Sequence, residues 1–277
     1  MGLRINTNIQ SLAAQRHLAI NGDKQKISLE RLASGQRINK AGDDAAGLAI
    51  SEKLKAEIRS MKQAQRNAND GVSLIQVAEG SMSEISNILV RLRELSIQSA
   101  SDTMGDVERG FLNKEVVQLK EEISRITNST EYDGTKLLDG TAPVLEFQVG
   151  TKNNPMNDRF MFDTQSLTTT MSVLGIDGVT ADTKANAQAN LGMIDSAIQK
   201  LSGNRSTLGA LQNRMQSTIN NLGVYKENLE AANSRIRDTD MAEESSELTK
   251  ANILNQATMS VLGQANQTPQ LALKLLS

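Results

Sequence analysis

The stretch that decides the fold is LKAEIRSMKQAQRNANDGVSLIQVAEGSMSEISNIL, at residues 54–89. Its small and apolar residues recur every seven positions, at Leu54, Met61, Ala68, Ile75, Met82 and Leu89. A second stretch has the same spacing, at Leu208, Met215, Leu222, Leu229 and Ile236. A sustained seven-residue period is typical of helices that wrap around other helices. The two stretches predict the packing seam of a long antiparallel, coiled-coil-like helical rod.

The first stretch contains Asn69, Asp70 and Gly71, a combination that favours a hairpin turn. The seven-residue register nevertheless continues from Ala68 to Ile75 without a shift. We therefore predict one helix over about 45–99, in which Gly71 allows close approach of a neighbour. Upstream of this helix, a Gly-, Asn- and Asp-rich connector covers 35–47. It ends in an acidic pair placed to cap the helix, Asp43 and Asp44.

The composition favours a mainly α-helical chain with little globular core. Aromatic residues make up 2% of the 277 residues, and all six lie between Phe111 and Tyr225. A thick core normally depends on aromatic side chains for buried area. The sequence has three prolines, which leaves very long segments without a helix breaker.

The middle of the chain predicts a further helix and a small β-hairpin. An apolar stripe on residues 112–126 indicates the helix, with Glu121 and Arg125 placed to pair one turn apart. Alternation at residues 145–149, a turn near 150–155 and apolar residues at 160–162 predict a hairpin within about 143–163. Residues 163–184 are rich in Thr, Ser and Asp and predict a surface loop. Helix resumes at about 184–236 and again at about 240–277.

Charge and hydropathy argue against nucleic acid or membrane as partner. The formal net charge is −2, from 30 basic and 32 acidic residues. A local basic cluster within residues 24–40 is balanced by neighbouring acidic residues, which favours a solvated face. No apolar run approaches the ~20 residues that span a bilayer. The first twenty residues lack the continuous apolar core of a secretory signal peptide.

The sequence contains no credible catalytic site, so we predict no enzyme activity, no cofactor and no metal site. The sequence contains no cysteine and a single histidine, His17. Neither the HExxH motif nor a phosphate-binding glycine loop occurs. An acidic patch lies within 238–247, but it lacks the alternating ligands and central glycine of a calcium loop. A charged helix start is the simpler interpretation of this patch.

Several motifs resemble bacterial flagellin, in order and at both ends of the chain. The N-terminal motifs are INTN at 5–8, SLAAQRHL at 11–18, LERLASGQRINKAGDDAAGLAISEKL at 29–54, NANDGVSLIQVAEGSMSEI at 67–85 and RLRELSIQSA at 91–100. YDGTKLLDG at 132–140 resembles the loop that precedes the flagellin hairpin. The C-terminal motifs are AANSRIRDTDMAEESSEL at 231–248 and QANQTPQLALKLL at 264–276. The likeness covers roughly residues 1–140 and 208–277.

The resemblance implies a structural subunit that self-assembles into the extracellular flagellar filament used for swimming. It implies an inner coiled-coil domain from arms 1–42 and 236–277, and an outer rod domain from 43–235 that carries the hairpin. Too few residues remain in the middle for the inserted outer domains of longer flagellins. Export through the flagellum-specific type III apparatus would account for the missing signal peptide. The implied partners are other copies of the chain, an export chaperone on the C-terminal arm, and hook-associated and cap proteins.

The resemblance also implies contacts with the animal Toll-like receptor for flagellin. In recognised flagellins the matching helix reads Gln-Arg-x-Arg-Glu-Leu. Here Arg91 and Leu95 match that motif, Val90 replaces its glutamine, and Glu115 aligns with a further contact position. The middle segment holds hydroxyl residues that are glycosylated in some relatives, and a plain polar loop is the alternative. These residues are Ser166, Thr168, Thr169, Thr170 and Ser172.

Short arms with small, polar seams bury too little surface to offset chain entropy. We therefore expect both arms to be disordered in the monomer and to form helices on assembly. Two alternatives to a flagellin remain open at this point. One is a hook–filament junction protein, which has similar ends, and the other is a coiled-coil scaffold.

Overall fold

The computed structural model describes the backbone of residues 7–274 and the side chains of residues 7–267. Residues 1–6 of the predicted N-terminal arm and 275–277 of the C-terminal arm lie outside the described residues. The helices are α1 (Ile9–Ser34), α2 (Ala45–Ser99), α3 (Asp106–Ser129), α4 (Pro155–Asp158), α5 (Met171–Leu174), α6 (Lys184–Arg237) and α7 (Met241–Lys274). The strands are β1 (Glu131–Tyr132), β2 (Thr135–Lys136), β3 (Leu145–Gln148) and β4 (Arg159–Phe162). The mainly α-helical class predicted from the sequence is confirmed.

The chain divides into two compact units. The terminal unit contains the residues up to 56 and those from 228 onward, and the central unit contains 57–227. The predicted domain limits, 1–42, 43–235 and 236–277, fall near the breaks between α1 and α2 and between α6 and α7. Those limits stay a prediction about the assembled protein.

Helix α2 runs through the Asn69-Asp70-Gly71 segment without interruption, as predicted. At its start, Oδ1 of Asp44 accepts a hydrogen bond from the Gly47 amide at 2.8 Å, so Asp44 caps the helix. Gly71 is buried, and a Cβ atom there would lie 3.0 Å from Cε of Met215. The expected close approach at Gly71 is therefore present, and the neighbour is α6.

The core of the central unit is formed by α2, α3 and α6, with large apolar side chains inside. On α2, two residues in each seven-residue repeat form the packing seam. All of these seam residues are buried from Met61 to Ser99. The α3 stripe has the same seven-residue spacing, with Arg109, Val116 and Ile123 buried. Helix α6 runs antiparallel to α2, since Arg205 pairs with Glu79 and Arg93 pairs with Asp195. A continuous apolar cluster results, of the kind that stabilises a coiled coil.

The proposed seam residues differ in burial along the two long helices. Met61, Ile75, Met82, Leu89, Leu208 and Met215 are buried, whereas Leu54, Leu222, Leu229 and Ile236 are half-buried. The buried stripe on α6 lies mainly in its first half, at Ala187, Asn190, Ile194, Ala197 and Leu201, and continues through Leu208 and Met215 to Ile219. The segment that follows the second hairpin contacts this half of α6, because Asn190 and Lys200 donate to the carbonyls of Thr180 and Val173.

Two short hairpins follow α3. Strands β1 and β2 pair around Asp133 and Gly134, both with positive φ, which is the conformation of a tight two-residue hairpin turn. The start of the motif at 132–140, which resembles a flagellin loop, therefore lies in a short paired hairpin. Strands β3 and β4 form the predicted antiparallel hairpin, with Phe147 opposite Phe160 and Leu145 opposite Phe162.

The prediction of a surface loop at 163–184 is wrong. Leu167, Leu174, Ile176, Val179 and Ala181 are buried in the core. Helix side chains satisfy the backbone of this segment: Ser99 and Asn190 donate to the carbonyls of Ala181 and Thr180, and Asn113 accepts from the Ala181 amide. These bonds allow an irregular backbone to be buried, because its polar groups keep partners. The prediction failed because the many Thr, Ser and Asp residues made the segment polar on average, although its few apolar residues are buried.

One predicted ion pair on α3 is also wrong. Arg125 pairs with Glu122 at 2.6 Å, and the expected partner, Glu121, accepts from Gln118 instead. Spacings of three and four residues both bring helical side chains together, so spacing alone did not decide the partner.

Candidate assembly surface

Helices α1 and α7 of the terminal unit pack against each other as an antiparallel pair. Polar side chains link them along the whole described length. Near one end, Asn8 donates to the Ala265 carbonyl at 2.8 Å, and in the middle Gln25 donates to Oδ1 of Asn252 at 2.7 Å. At the other end, Arg31 lies 3.5 Å from the carboxylate of Glu244. The pair is thus held in register by polar contacts that side chains make across it.

The buried residues of α1 are all small. The buried residues of this helix are Ser11, Ala14 and Ser28, and on α7 Ala251 and Ala265 are buried. Small side chains let two helix backbones approach closely, but each removes little apolar area from water. Burial inside this pair therefore contributes weakly to its stability.

The opposite side of α1 exposes large apolar residues. Ile9 is 66% exposed and Leu12 is 56% exposed, and Ile20 and Ile27 are nearly half exposed. Their spacing places all four on one helical face, away from Ser11, Ala14 and Ser28. Helix α7 adds Ile253, Met259 and Val261, each more than half exposed. The outside of the pair therefore carries large apolar side chains that face solvent, which is typical of a surface that another protein covers.

Arg237 holds together the chain segments between the helices of the terminal unit. Its guanidinium donates to the side chains of Gln36, Ser51 and Glu52. Beside it, the amide of Arg37 donates to the Arg237 carbonyl at 2.7 Å, and the amide of Thr239 donates to the Gly35 carbonyl at 3.1 Å. These contacts tie the segment after α1 to the segment before α7. Sequence reasoning did not find this role, because the partners lie about two hundred residues apart.

The acidic patch near the start of α7 has a structural role in the described part of the chain. Oδ1 of Asp240 accepts from the amides of Ala242 and Glu243, so Asp240 caps α7. Glu244 pairs with Arg31 and Glu247 pairs with Lys250. Across residues 7–267, the side chains form no group of three or more residues suited to hold a metal ion.

His17 is exposed on α1, beside Ala257 and Val261 of α7. The neighbouring residues of this groove include no carboxylate, so they provide no partner for a catalytic histidine. Within the described helices, none is long and apolar enough to cross a membrane.

The residues implied as receptor contacts and glycosylation sites lie in the central unit. Arg91 is exposed and forms ion pairs with Glu94 at 3.0 Å and with Glu115 at 2.8 Å, whereas Leu95 is 1% exposed. The Glu115 carboxylate raises the pKa of Arg91 above its ordinary value by accepting a hydrogen bond. Among the five hydroxyl residues, Ser166 and Ser172 are exposed, Thr170 is half-buried, and Thr168 and Thr169 are buried.

Comparisons with known proteins find similar helical regions at both ends of the chain. Residues 5–142 match the bacterial flagellin N-terminal helical region, and residues 191–276 match the bacterial flagellin C-terminal helical region. A flagellin of Halalkalibacterium halodurans is 46% identical over 98% of this chain and 99% of its own length. A flagellin of Bacillus subtilis is 42% identical over 99% of this chain and 100% of its own length.

A solved structure agrees with the family match. The crystal structure of Bacillus cereus flagellin superposes with a TM-score of 0.51 at 32% identity, over 57% of this chain and 88% of that chain. Family matches at both ends, together with identity along nearly the whole length, place the chain in the bacterial flagellin family, the structural subunits of the extracellular flagellar filament.

Proposed function

We propose that this flagellin polymerises through the apolar outer face of the α1–α7 pair. As a flagellin, the chain is a structural subunit of the extracellular filament and not an enzyme. Identity to flagellins over its full length does not favour the alternatives of a junction protein or a scaffold. The finer question is which surface joins the subunits.

The observation that carries the proposal is the distribution of apolar residues on α1. Leu12 and Ile20 face solvent, while Ser11 and Ala14 face the partner helix. A second copy of the chain that covered Leu12 and Ile20 would remove from water apolar surface that the intrachain contact leaves exposed. Repeated contacts between identical subunits that do not close into a ring generate an open helical filament.

The weak interior of the pair supports a second part of the proposal. The arms 1–42 and 236–277 form the inner domain of the filament and are disordered before assembly, while 43–235 form the outer domain. Small buried residues such as Ala14 and Ala251 contribute little free energy against the entropy lost when the arms become ordered. Contacts between subunits supply the missing stabilisation.

Limited proteolysis of depolymerised protein tests the disorder of the arms. We expect both ends to be removed, which leaves a resistant fragment near 45–235. Protease-resistant arms in a depolymerised chain would contradict the proposal.

A substitution on the outer face tests the assembly surface. Ile20→Ser removes an apolar side chain from this face, and Gln15→Ser changes an exposed polar residue of the same helix. We expect Ile20→Ser to raise the concentration needed for polymerisation by about tenfold, as sedimentation and electron microscopy would measure, since burying such a side chain contributes about 1.5–3 kcal/mol. Equal polymerisation of the two variants would exclude this face.

The proposal includes the partners that the resemblance implies. Before export, a chaperone covers the C-terminal arm, whose residues Ile253, Met259 and Val261 expose apolar surface. Hook-associated and cap proteins contact the ends of the filament. A pull-down of the chaperone with the wild-type chain and with Ile253→Ser tests the first contact, and unchanged binding would exclude Ile253 from it.

Receptor recognition is proposed at the exposed Arg91 and the half-buried Glu115, which form an ion pair. Leu95 is buried in the folded subunit, so we leave it out of the contact surface. A reporter-cell assay with Arg91→Ala tests this, and an undiminished response would exclude Arg91.

Glycosylation is proposed only at the hydroxyls that have room for a sugar, on Ser166, Thr170 and Ser172. Thr169 is fully buried in the core, and the Thr168 hydroxyl donates to the Gln165 carbonyl at 2.8 Å. Mass spectrometry of native filaments tests this, and a glycan on Thr169 would contradict the structure of this segment.

A further inference from the structure

The sequence contains one Asn-Gly pair, Asn21-Gly22, and it lies in the middle of α1. A glycine in a helix interior destabilises the helix relative to alanine. Nothing in the packing requires Gly22: a Cβ there would meet no atom within 4 Å, and its φ is not in the positive region. Gly22 therefore has no structural role in the folded pair, and its chemical consequence is to leave the Asn21 side chain reactive.

An asparagine followed by glycine is prone to deamidation, because glycine offers no side chain to hinder ring closure. The Gly22 backbone nitrogen attacks Cγ of Asn21, and a new N–Cγ bond closes a succinimide ring. The Cγ–Nδ2 bond breaks, and the amide nitrogen leaves as ammonia with the proton from Gly22. Water then opens the ring at either carbonyl, which leaves aspartate or isoaspartate at position 21.

The folded α1 blocks this reaction in two ways. In an α-helix the Gly22 amide is directed to the carbonyl of Leu18, four residues earlier, and away from the Asn21 side chain. Across the pair, Nδ2 of Asn21 donates to Oγ1 of Thr258 at 3.4 Å. Both restraints exist only while α1 is helical and paired with α7. In a disordered arm both are lost.

We infer that Asn21 is a spontaneous deamidation site that is open in the unassembled subunit and closed in the filament. The inference rests on the proposed disorder of the arms before assembly. Deamidation replaces the amide that donates to Thr258 with a carboxylate, and isoaspartate also lengthens the backbone of α1. Both products destabilise the α1–α7 pair. Deamidation over time therefore lowers the number of unassembled subunits that are able to polymerise.

The test compares full-length protein in two states, depolymerised and polymerised, incubated at the same mildly alkaline pH. Trypsin cleaves after Arg16 and Lys24, so peptide 17–24 carries the site. Mass spectrometry measures the conversion of amide to acid, and an isoaspartate methyltransferase assay identifies the isomer. We expect conversion to be slower in filaments by about tenfold or more, because the reaction must await local opening of the helix.

Gly22→Ala is the matched control, since the structure has room for its methyl group. It should suppress conversion in the depolymerised sample. Equal conversion of wild type in both states, with filaments verified by electron microscopy, would overturn the inference. If protease cleaves the arms of the depolymerised chain but Asn21 keeps its amide, the deamidation inference is wrong and the proposed disorder of the arms stands. If Asn21 keeps its amide and the arms also resist protease, both the inference and the proposed disorder are wrong.

A pair of variants tests the consequence for assembly. Asn21→Asp reproduces one product, while Asn21→Gln keeps an amide and forms no such ring readily. We expect Asn21→Asp to raise the concentration needed for polymerisation several-fold above that of Asn21→Gln. Equal values would show that deamidation does not remove subunits from assembly.

Discussion

The central unit and the terminal α1–α7 pair use long helices in opposite ways. In the central unit, Met82 and Leu89 are fully buried and the seam of α2 is filled with large apolar residues. In the terminal pair, Ala14 and Ala251 lie inside while Leu12 faces solvent. Helical periodicity alone therefore does not show whether a helix stabilises its own subunit. The size of the residues on the inner face is the more informative signal.

The largest expected difference is in the unfolding free energy lost when each of two leucines, one in each unit, is replaced by alanine. Leu89→Ala removes a fully buried side chain, and we expect the central unit to lose about 2–5 kcal/mol of unfolding free energy. Leu12→Ala changes a side chain that is 56% exposed, so we expect less than about 0.5 kcal/mol. Urea denaturation of the monomer, followed by circular dichroism, measures both. If Leu12→Ala were as destabilising as Leu89→Ala, the terminal pair would not depend on a second subunit.

A smaller effect separates two glycines of α2. Gly71→Leu places a side chain against Met215 and Phe147, and we expect it to lower the unfolding free energy by about 1–3 kcal/mol. Gly80 has no atom within 4 Å of a built Cβ, so Gly80→Leu should raise stability by about 0.5–1 kcal/mol through helix propensity. Thermal unfolding of both variants measures the difference. A stabilised Gly71→Leu variant would contradict the close approach of α2 and α6.

The seam of α2 could be predicted from sequence because one strong period fixes both the helix and its buried face. Met61, Ile75 and Leu89 are buried as that period requires, and the unbroken register decided against a turn before Gly71. The segment at 163–184 could not be predicted in this way. Its buried residues, such as Ile176 and Val179, follow no period, and hydrogen bonds from distant helices hold its backbone.

The candidate assembly surface was only partly visible in the sequence. The absence of aromatic residues near the ends indicated a weak core, but the amide contact between Gln25 and Asn252 joins residues far apart in the chain. Polar side chains of this kind give no hydropathy signal. The same limit applies to Arg237, whose partners Gln36 and Ser51 could be identified only in the folded structure.

The smallest expected effect is on the pH dependence of unfolding. It is seen by comparing two exposed carboxylates, one in each unit. In the central unit, the pKa of Asp102 is lowered, chiefly because Lys184 donates a hydrogen bond at 2.7 Å. In the terminal unit, the pKa of Asp43 is lowered, chiefly because the Lys40 amide donates to it, followed by the Asn39 amide. A carboxyl whose pKa is lowered on folding stabilises the fold above its ordinary pKa, near pH ~4, and loses that contribution as the pH falls through the lowered value.

Asp102→Asn should therefore reduce the fall in the unfolding temperature of the central unit between about pH 5 and pH 2, because one group then no longer titrates. The change should be smaller than that of Gly71→Leu, since the side chains of Asp102 and Lys184 are 81% and 40% exposed and water screens their attraction. Asp43→Asn is the control, because Asp43 belongs to the other unit and should leave this unfolding temperature unchanged. If both variants changed it equally, the two units would unfold together, and the terminal pair would be more stable in the free subunit than its small buried residues indicate.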